Sequence, residues 1–176
     1  GEATIRSLRK SNLETKIIAA DCAENSSGFY LADKYYLLPK VESKEYLETL
    51  VKICLENSID VIFIASGAEI PIVSKLREKI EALSGSFLIV NSPDLLDITE
   101  DKWKTYIFLR QSKIELPKST ISKDYKLLFG FAKEVNFPII VKPRIGKGSK
   151  GISICRNMDS LFTSMNSKKE MIAQML

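Results

Sequence analysis

A chain of 176 residues, 45% apolar and 27% charged, has the length and hydrophobic content for one ordinary domain or two small ones. It contains no histidine, which removes Ser-His hydrolysis and histidine-based zinc sites. No apolar run approaches the roughly 18 residues that span a bilayer, and the N-terminus lacks a signal-peptide core, so a cytoplasmic location and no membrane partner are expected.

The first half alternates helix and strand. Residues 3–10 have helical spacing through Ile5 and Leu8, 16–20 read as a short strand ending at Asp21, and 34–38 as a second strand closed by Pro39. Ser43 is expected to cap a helix to about Glu56, with Leu47, Leu50, Val51 and Cys54 along one face. Residues 60–65, DVIFIA, are nearly all apolar, the pattern of a strand buried on both faces of a parallel sheet. A helix over 70–83 and a strand over 87–90 complete a doubly wound α/β unit. The strand that usually opens such a unit is not seen, and it is expected upstream of Gly1. Asp21 reads equally as a turn cap or a ligand contact. Glu69 follows a strand end, where open α/β sheets place ligand loops, although a solvated helix-start glutamate is the commoner reading.

A boundary is expected near Asp97. Thr99 is positioned to cap a helix over 100–113 with Trp103, Ile107 and Phe108 turned inward. Residues 123–135 form an amphipathic helix, and 138–141 a β-branched strand opened by a proline, with Lys142 on or at its end. Asn157 or Asp159 starts a further helix, and residues 170–176 make a last apolar strand, beyond which more chain is expected. Cys22, Cys54 and Cys155 are widely spaced beside apolar segments and read as small buried hydrophobes.

Charge is divided unevenly. Residues 1–97 carry 11 Lys+Arg against 15 Asp+Glu, whereas 98–176 carry 15 against 7, so the second half faces an anion. Its densest basic cluster, Lys142, Arg144, Lys147 and Lys150, surrounds Gly146, Gly148 and Gly151. Glycines there allow positive φ and bring N–H groups close to a phosphate. The following ISIC alternates as a strand does, so the segment is a hairpin tip and not the helix-opening turn of a dinucleotide fold. Ile152 stands where a Walker loop needs lysine, and a kinase loop carries its lysine after the glycines, not before them. A solvated surface turn is the bland alternative.

In the order of these parts the chain resembles the ATP-grasp superfamily, in particular ligases similar to the carbamoyl-phosphate synthase large subunit. Asp101-Lys102 with Trp103-Lys104-Thr105, the FPIIVKP strand, the loop to Gly151 and Ala173-Gln174-Met175-Leu176 carry the resemblance. It implies a Rossmann-like pre-ATP-grasp domain with a parallel sheet over 1–97, then an α+β ATP-grasp N-terminal subdomain over 98–176, with the second subdomain absent. It also implies phosphate contacts from Lys102 and Lys142, and a lid formed by Gly146, Lys147, Gly148, Ser149, Lys150 and Gly151. Ile140 would line the adenine pocket, and Gln174, Met175 and Leu176 would form the hinge. Met175 stands where glutamate is common in these ligases. The implied cofactors are ATP and Mg²⁺, with the metal ligands and transition-state arginine beyond Leu176.

The resemblance therefore implies an ATP-dependent carboxylate–amine or carboxylate–thiol ligase working through an acyl phosphate, with small carboxylate and amine substrates and Glu69 as a candidate substrate contact. This segment alone is expected to be inactive. A noncatalytic nucleotide-binding module is the alternative reading, and a nucleic-acid-binding domain a weaker one, since the basic residues cluster in one loop and not along a face. Exposed helices of the first domain could pair in a homodimer.

Overall fold

Parallel pairing in the first half and antiparallel pairing in the second divide the chain into two units, Gly1–Pro93 and Asp94–Leu176. The computed structural model describes residues 1–146 and 148–176.

In the first unit, β1 (Ile18–Asp21) pairs parallel with β2 (Lys34–Leu37), and β3 (Val61–Phe63) with β4 (Phe87–Ile89). Parallel neighbours need a crossover, which α3 (Ile70–Lys75) and α4 (Arg77–Ser84) provide between β3 and β4. Around these lie α1 (Glu2–Lys10) and α2 (Tyr46–Asn57). One face of the strands closes a core in which Tyr46, Leu50, Ile53, Val73, Ile80 and Leu88 are buried. Full burial of each large aliphatic contributes about 1.5–3 kcal/mol before entropy.

Four expectations need correction here. The expected parallel pairing is present, as two pairs among the described residues, but β3 is not covered on both faces. Only Ile62 turns towards the core, while Val61 and Phe63 remain 43% and 47% exposed beside their exposed partners Phe87 and Ile89. Ser43 does not cap α2: its hydroxyl accepts from the Glu45 N–H at 3.3 Å and its carbonyl from the Tyr46 N–H, so it shapes the preceding turn. The helix over 70–83 breaks at Leu76, whose N–H is shared between the Ile72 and Val73 carbonyls as the turn tightens. Cys22 is exposed; Cys54 and Cys155 are buried.

The second unit is a four-stranded antiparallel sheet in the order β5-β8-β6-β7, from β5 (Ser119–Thr120), β6 (Ile139–Pro143), β7 (Ser153–Cys155) and β8 (Met171–Met175). On one face pack α7 (Tyr125–Val135) and α8 (Met158–Met165), closing a core of Leu128, Ala132, Ile139, Val141, Leu161, Met165 and Ala173. Asp124 caps α7, and Asn157 starts α8 in a reciprocal capping box with Ser160. Strand alternation buries Ile139, Val141 and Pro143, which leaves Ile140 and Lys142 on the opposite face.

Thr99 does not begin the following helix. Its hydroxyl donates to the Leu96 carbonyl within α5 (Pro93–Glu100), and Asp101 is the cap of α6 (Lys102–Gln111). Nor does α6 turn its aromatics inward. It buries no residue, Phe108 is 46% exposed, and Trp103 stacks on Tyr106 with ring centroids 5.2 Å apart.

Candidate functional site

The hairpin β6-β7 holds the glycine loop at its tip, with Ile139 opposite Cys155 and Val141 opposite Ser153. Four described residues of the loop have positive φ: Gly146 (157°), Gly148 (65°), Ser149 (58°) and Gly151 (77°). At Gly151 a Cβ would stand 3.1 Å from Pro143 Cγ, so the returning arm closes directly on the strand that launched it. Gly148, Ser149 and Lys150 are exposed. Lys147 lies outside the described residues.

Lys142 projects from β6 on the face away from α7 and α8. Its ammonium donates to Gln174 Oε1 at 2.7 Å, and Gln174 Nε2 donates to Ser119 Oγ at 3.0 Å, which in turn donates to the Pro117 carbonyl. The register makes this chain possible, since Gln174 on β8 is opposite both Ser119 and Ile140. A lysine has no acceptor to offer, so the amide must present its oxygen to it. Burial pushes the Lys142 pKa below the usual lysine value, and the Lys102 ammonium pushes it the same way.

Lys102 opens α6. Its ammonium donates to the carbonyls of Arg144 (3.3 Å) and Gly146 (3.1 Å), at the root of the loop. Asp101, 5% exposed, accepts from the Trp103 and Lys104 N–H groups and from Arg144 Nε (3.2 Å) and Nη2 (2.5 Å). The Arg144 hydrogen bonds hold its carboxyl below the usual range against the opposing effect of burial. Arg144 also reaches Glu170 at 2.9 Å. Its charge is thus committed to two carboxylates, which separates it from the phosphate-facing basic residues among which the sequence had placed it. Lys102 and Lys142 have only neutral oxygen partners, and neither pairs with a carboxylate among the described residues.

Ile140 shares a face with Lys142. Met175 and Leu176 are 39% and 64% exposed, and the Met175 N–H is already given to the Lys118 carbonyl. Glu69 belongs to the first unit, where it precedes α3 and is partly buried. Burial raises its pKa, helped by the nearby Asp21 and Glu42 carboxylates. Asp21 accepts from the Ala23 N–H at 3.0 Å, a turn contact that keeps its own carboxyl low. The structural work of Asp101, Arg144 and Ser119 went unread in the sequence. An aspartate just before a helical run is an N-cap signal that favours Asp101 over Thr99, but no local pattern marks the other two.

Comparison with known proteins gives a consistent picture. Residues 3–87 match the model of the PylC-like N-terminal domain, and residues 99–176 that of the RimK-like ATP-grasp domain. The chain is similar to the carbamoyl phosphate synthase large chains of Helicobacter pylori (strain ATCC 700392 / 26695), at 26% identity over 158 residues, and Methanosarcina barkeri (strain Fusaro / DSM 804), at 23% over 156. These matches cover 88% and 85% of this chain but 14% of each relative, so the chain spans about one seventh of their length. Among solved structures, N5-carboxyaminoimidazole ribonucleotide synthetase from Thermotoga maritima aligns with a TM-score of 0.66 at 24% identity, over 98% of this chain and 42% of that one. The Staphylococcus aureus N5-carboxyaminoimidazole synthetase, complexed with ADP, aligns with a TM-score of 0.64 at 18% identity, over 99% and 44%. The fold is shared with both.

Proposed function

We propose that this chain, which belongs to the ATP-grasp superfamily, carries the nucleotide-binding half of an ATP-dependent carboxylate–amine or carboxylate–thiol ligase. Its division is a pre-ATP-grasp domain over 1–97 and a first ATP-grasp subdomain over 98–176. The observation that carries the reading is the pair of ammonium groups on α6 and β6. The Lys102 ammonium lies on the Arg144 and Gly146 carbonyls and the Lys142 ammonium on Gln174 Oε1, so the partners of both are neutral oxygens. Two unneutralised cations beside a glycine-rich loop form a receptor for a polyphosphate.

In this reading Lys102 and Lys142 hold the phosphates, together with N–H groups of Gly146, Gly148, Ser149, Lys150 and Gly151. Ile140 packs on the adenine, and Gln174, Met175 and Leu176 border it. Lys147 is assigned to the same loop from its sequence position alone. A substrate carboxylate attacks the terminal phosphorus, ADP leaves, and an amine or thiol then displaces phosphate from the acyl phosphate. Glu69 is assigned to substrate, the location is cytoplasmic, and a homodimer is the proposed assembly. Among the described residues no cluster of three or more His, Cys, Asp or Glu could hold a metal ion; Mg²⁺ remains part of the proposal, and no step is assigned to it.

Calorimetry of the full-length gene product with Mg-ATP, alongside Lys142→Met, tests the reading. Binding that the substitution weakens, with ADP formed on adding a carboxylate, supports it. Binding without ADP formation from any carboxylate favours a noncatalytic module. Absent nucleotide binding, with nucleic-acid binding that falls steeply with salt, favours the nucleic-acid alternative.

A further inference from the structure

We infer that Asp101 and Arg144 are a positioning pair for the phosphate site: the buried carboxylate at the head of α6 pins the root of the glycine loop, so that Lys102 and the loop backbone stand in fixed relation. The inference rests on the nucleotide reading above.

The contacts divide the work clearly. Asp101 Oδ1 accepts from the Trp103 and Lys104 N–H groups and from Arg144 Nε, while Oδ2 takes Arg144 Nη2. Three of those four donors converge on Oδ1 and one on Oδ2, so the direction of the carboxylate is fixed by protein groups alone. Arg144 is held as firmly from the other side, through Nη1 to Glu170 and through its own N–H to the Glu170 carbonyl at 3.0 Å. The planar guanidinium fork is what allows one side chain to fix its direction against two carboxylates at once.

The backbone follows from this. Asp101 forms an isolated bridge with Ile145, the Lys102 N–H donates to the Arg144 carbonyl at 3.1 Å, and the Lys102 ammonium folds over the Arg144 and Gly146 carbonyls. Segments more than forty residues apart in sequence are joined where the loop leaves β6. A buried ion pair adds little net stability over an apolar replacement, and its better-attested use is to select one arrangement. Here the arrangement selected is the distance between the Lys102 ammonium and the first glycine of the loop. Arg144 and Asp101 act through Lys102 and the loop; neither touches the phosphate.

Asp101→Asn separates the two duties of the carboxylate, because asparagine caps a helix as well as aspartate does but lacks the charge that holds Arg144. Arg144→Gln removes the fork from the other side. In the full-length gene product, affinities for Mg-ATP and for adenosine are measured by calorimetry, and amide exchange is followed at Lys102 and Arg144, whose N–H groups donate to the Arg144 and Glu170 carbonyls. Each variant is expected to lose about tenfold in Mg-ATP affinity, the scale of one weakened charged contact, with adenosine affinity unchanged. Exchange at the two amides is expected to quicken, and the double variant to be no worse than the singles. Wild-type Mg-ATP affinity in both variants overturns the inference, as does an equal loss for ATP and adenosine, which would mean general damage to the unit. Lys142→Met keeps the two readings apart. If it loses Mg-ATP affinity while Asp101→Asn and Arg144→Gln do not, the nucleotide reading stands and the positioning pair falls. If it binds Mg-ATP as the wild type does, both fall.

Discussion

Replacing Lys142 with methionine should weaken nucleotide binding and stabilise the fold at the same time. Methionine keeps an unbranched stem of similar length on β6, so the packing of Ile139 and Val141 behind it is preserved. What is lost is an ammonium whose hydrogen-bond partner among the described residues is the neutral amide of Gln174 and whose neighbour is another ammonium. A lysine with a depressed folded pKa destabilises the fold wherever it is protonated, and the penalty fades as pH rises through the folded value. At neutral pH its removal should add about 0.5–1 kcal/mol, a rise of about 2–8 °C in the melting temperature of a unit this size. Against ATP the same change deletes a charge-assisted hydrogen bond of about 1.5–3 kcal/mol, or about 10- to 100-fold in affinity. Thermal melts at about pH 7 and about pH 10, with Mg-ATP calorimetry on both proteins, measure the two effects. The stability gain should shrink at the higher pH. A melting temperature that falls with the affinity would refute the argument, because Lys142 would then be a packing residue and not an unneutralised charge.

Glu69→Gln should stabilise the first unit at about pH 8 by about 0.5 kcal/mol, since the folded pKa of Glu69 is raised by burial and by Asp21 and Glu42. The advantage should fade in urea melts as pH falls through the raised folded pKa and vanish below the ordinary glutamate value, where the residue is protonated folded and unfolded alike; a pH-independent gain would argue against the repulsion. Gly151→Ala should cost about 1–2 kcal/mol for its positive φ, plus the strain of a Cβ 3.1 Å from Pro143 Cγ. Gly148→Ala, with nothing within 4 Å, should cost only the first part, and equal melting points for the two would discount the contact. Leu161→Ala, at a position with no exposed surface, should lose about 2–5 kcal/mol in urea denaturation. A loss below about 1 kcal/mol would mean that α8 is not fixed to the sheet by that side chain.

The elements were legible where local pattern decides them. The β-branched run placed Lys142 on or at the end of its strand, and of the two candidates Asn157 and Asp159 for the start of the following helix it is Asn157 that caps α8. The hairpin with glycines at its tip followed from the IS-IC alternation after the loop. What failed depended on partners distant in sequence. The run DVIFIA matches a strand covered on both faces, but Val61 and Phe63 stand exposed on its second face beside Phe87 and Ile89. Arg144 looks from its neighbours like one more cation in a basic loop; only the fold brings Asp101 to it. Glutamine at position 174 could be read as a hinge residue, yet its bond to Lys142 depends on β8 lying between β5 and β6, which no spacing within either strand reveals.

That bond also determines what the Lys142 ammonium meets before any ligand does. Gln174 is an isostere of glutamate, and the difference between them is one amide nitrogen. A carboxylate at position 174 would close an internal ion pair with Lys142, and any phosphate would then have to displace a resident anion. The amide lets Ser119 hold the side chain from behind while leaving the ammonium electrostatically vacant. On the proposed reading, entry by a polyphosphate would exchange a neutral oxygen for a charged one, with no anion of the described residues to expel from Lys142, and the threshold for occupancy would be set at a residue that need never touch the phosphate.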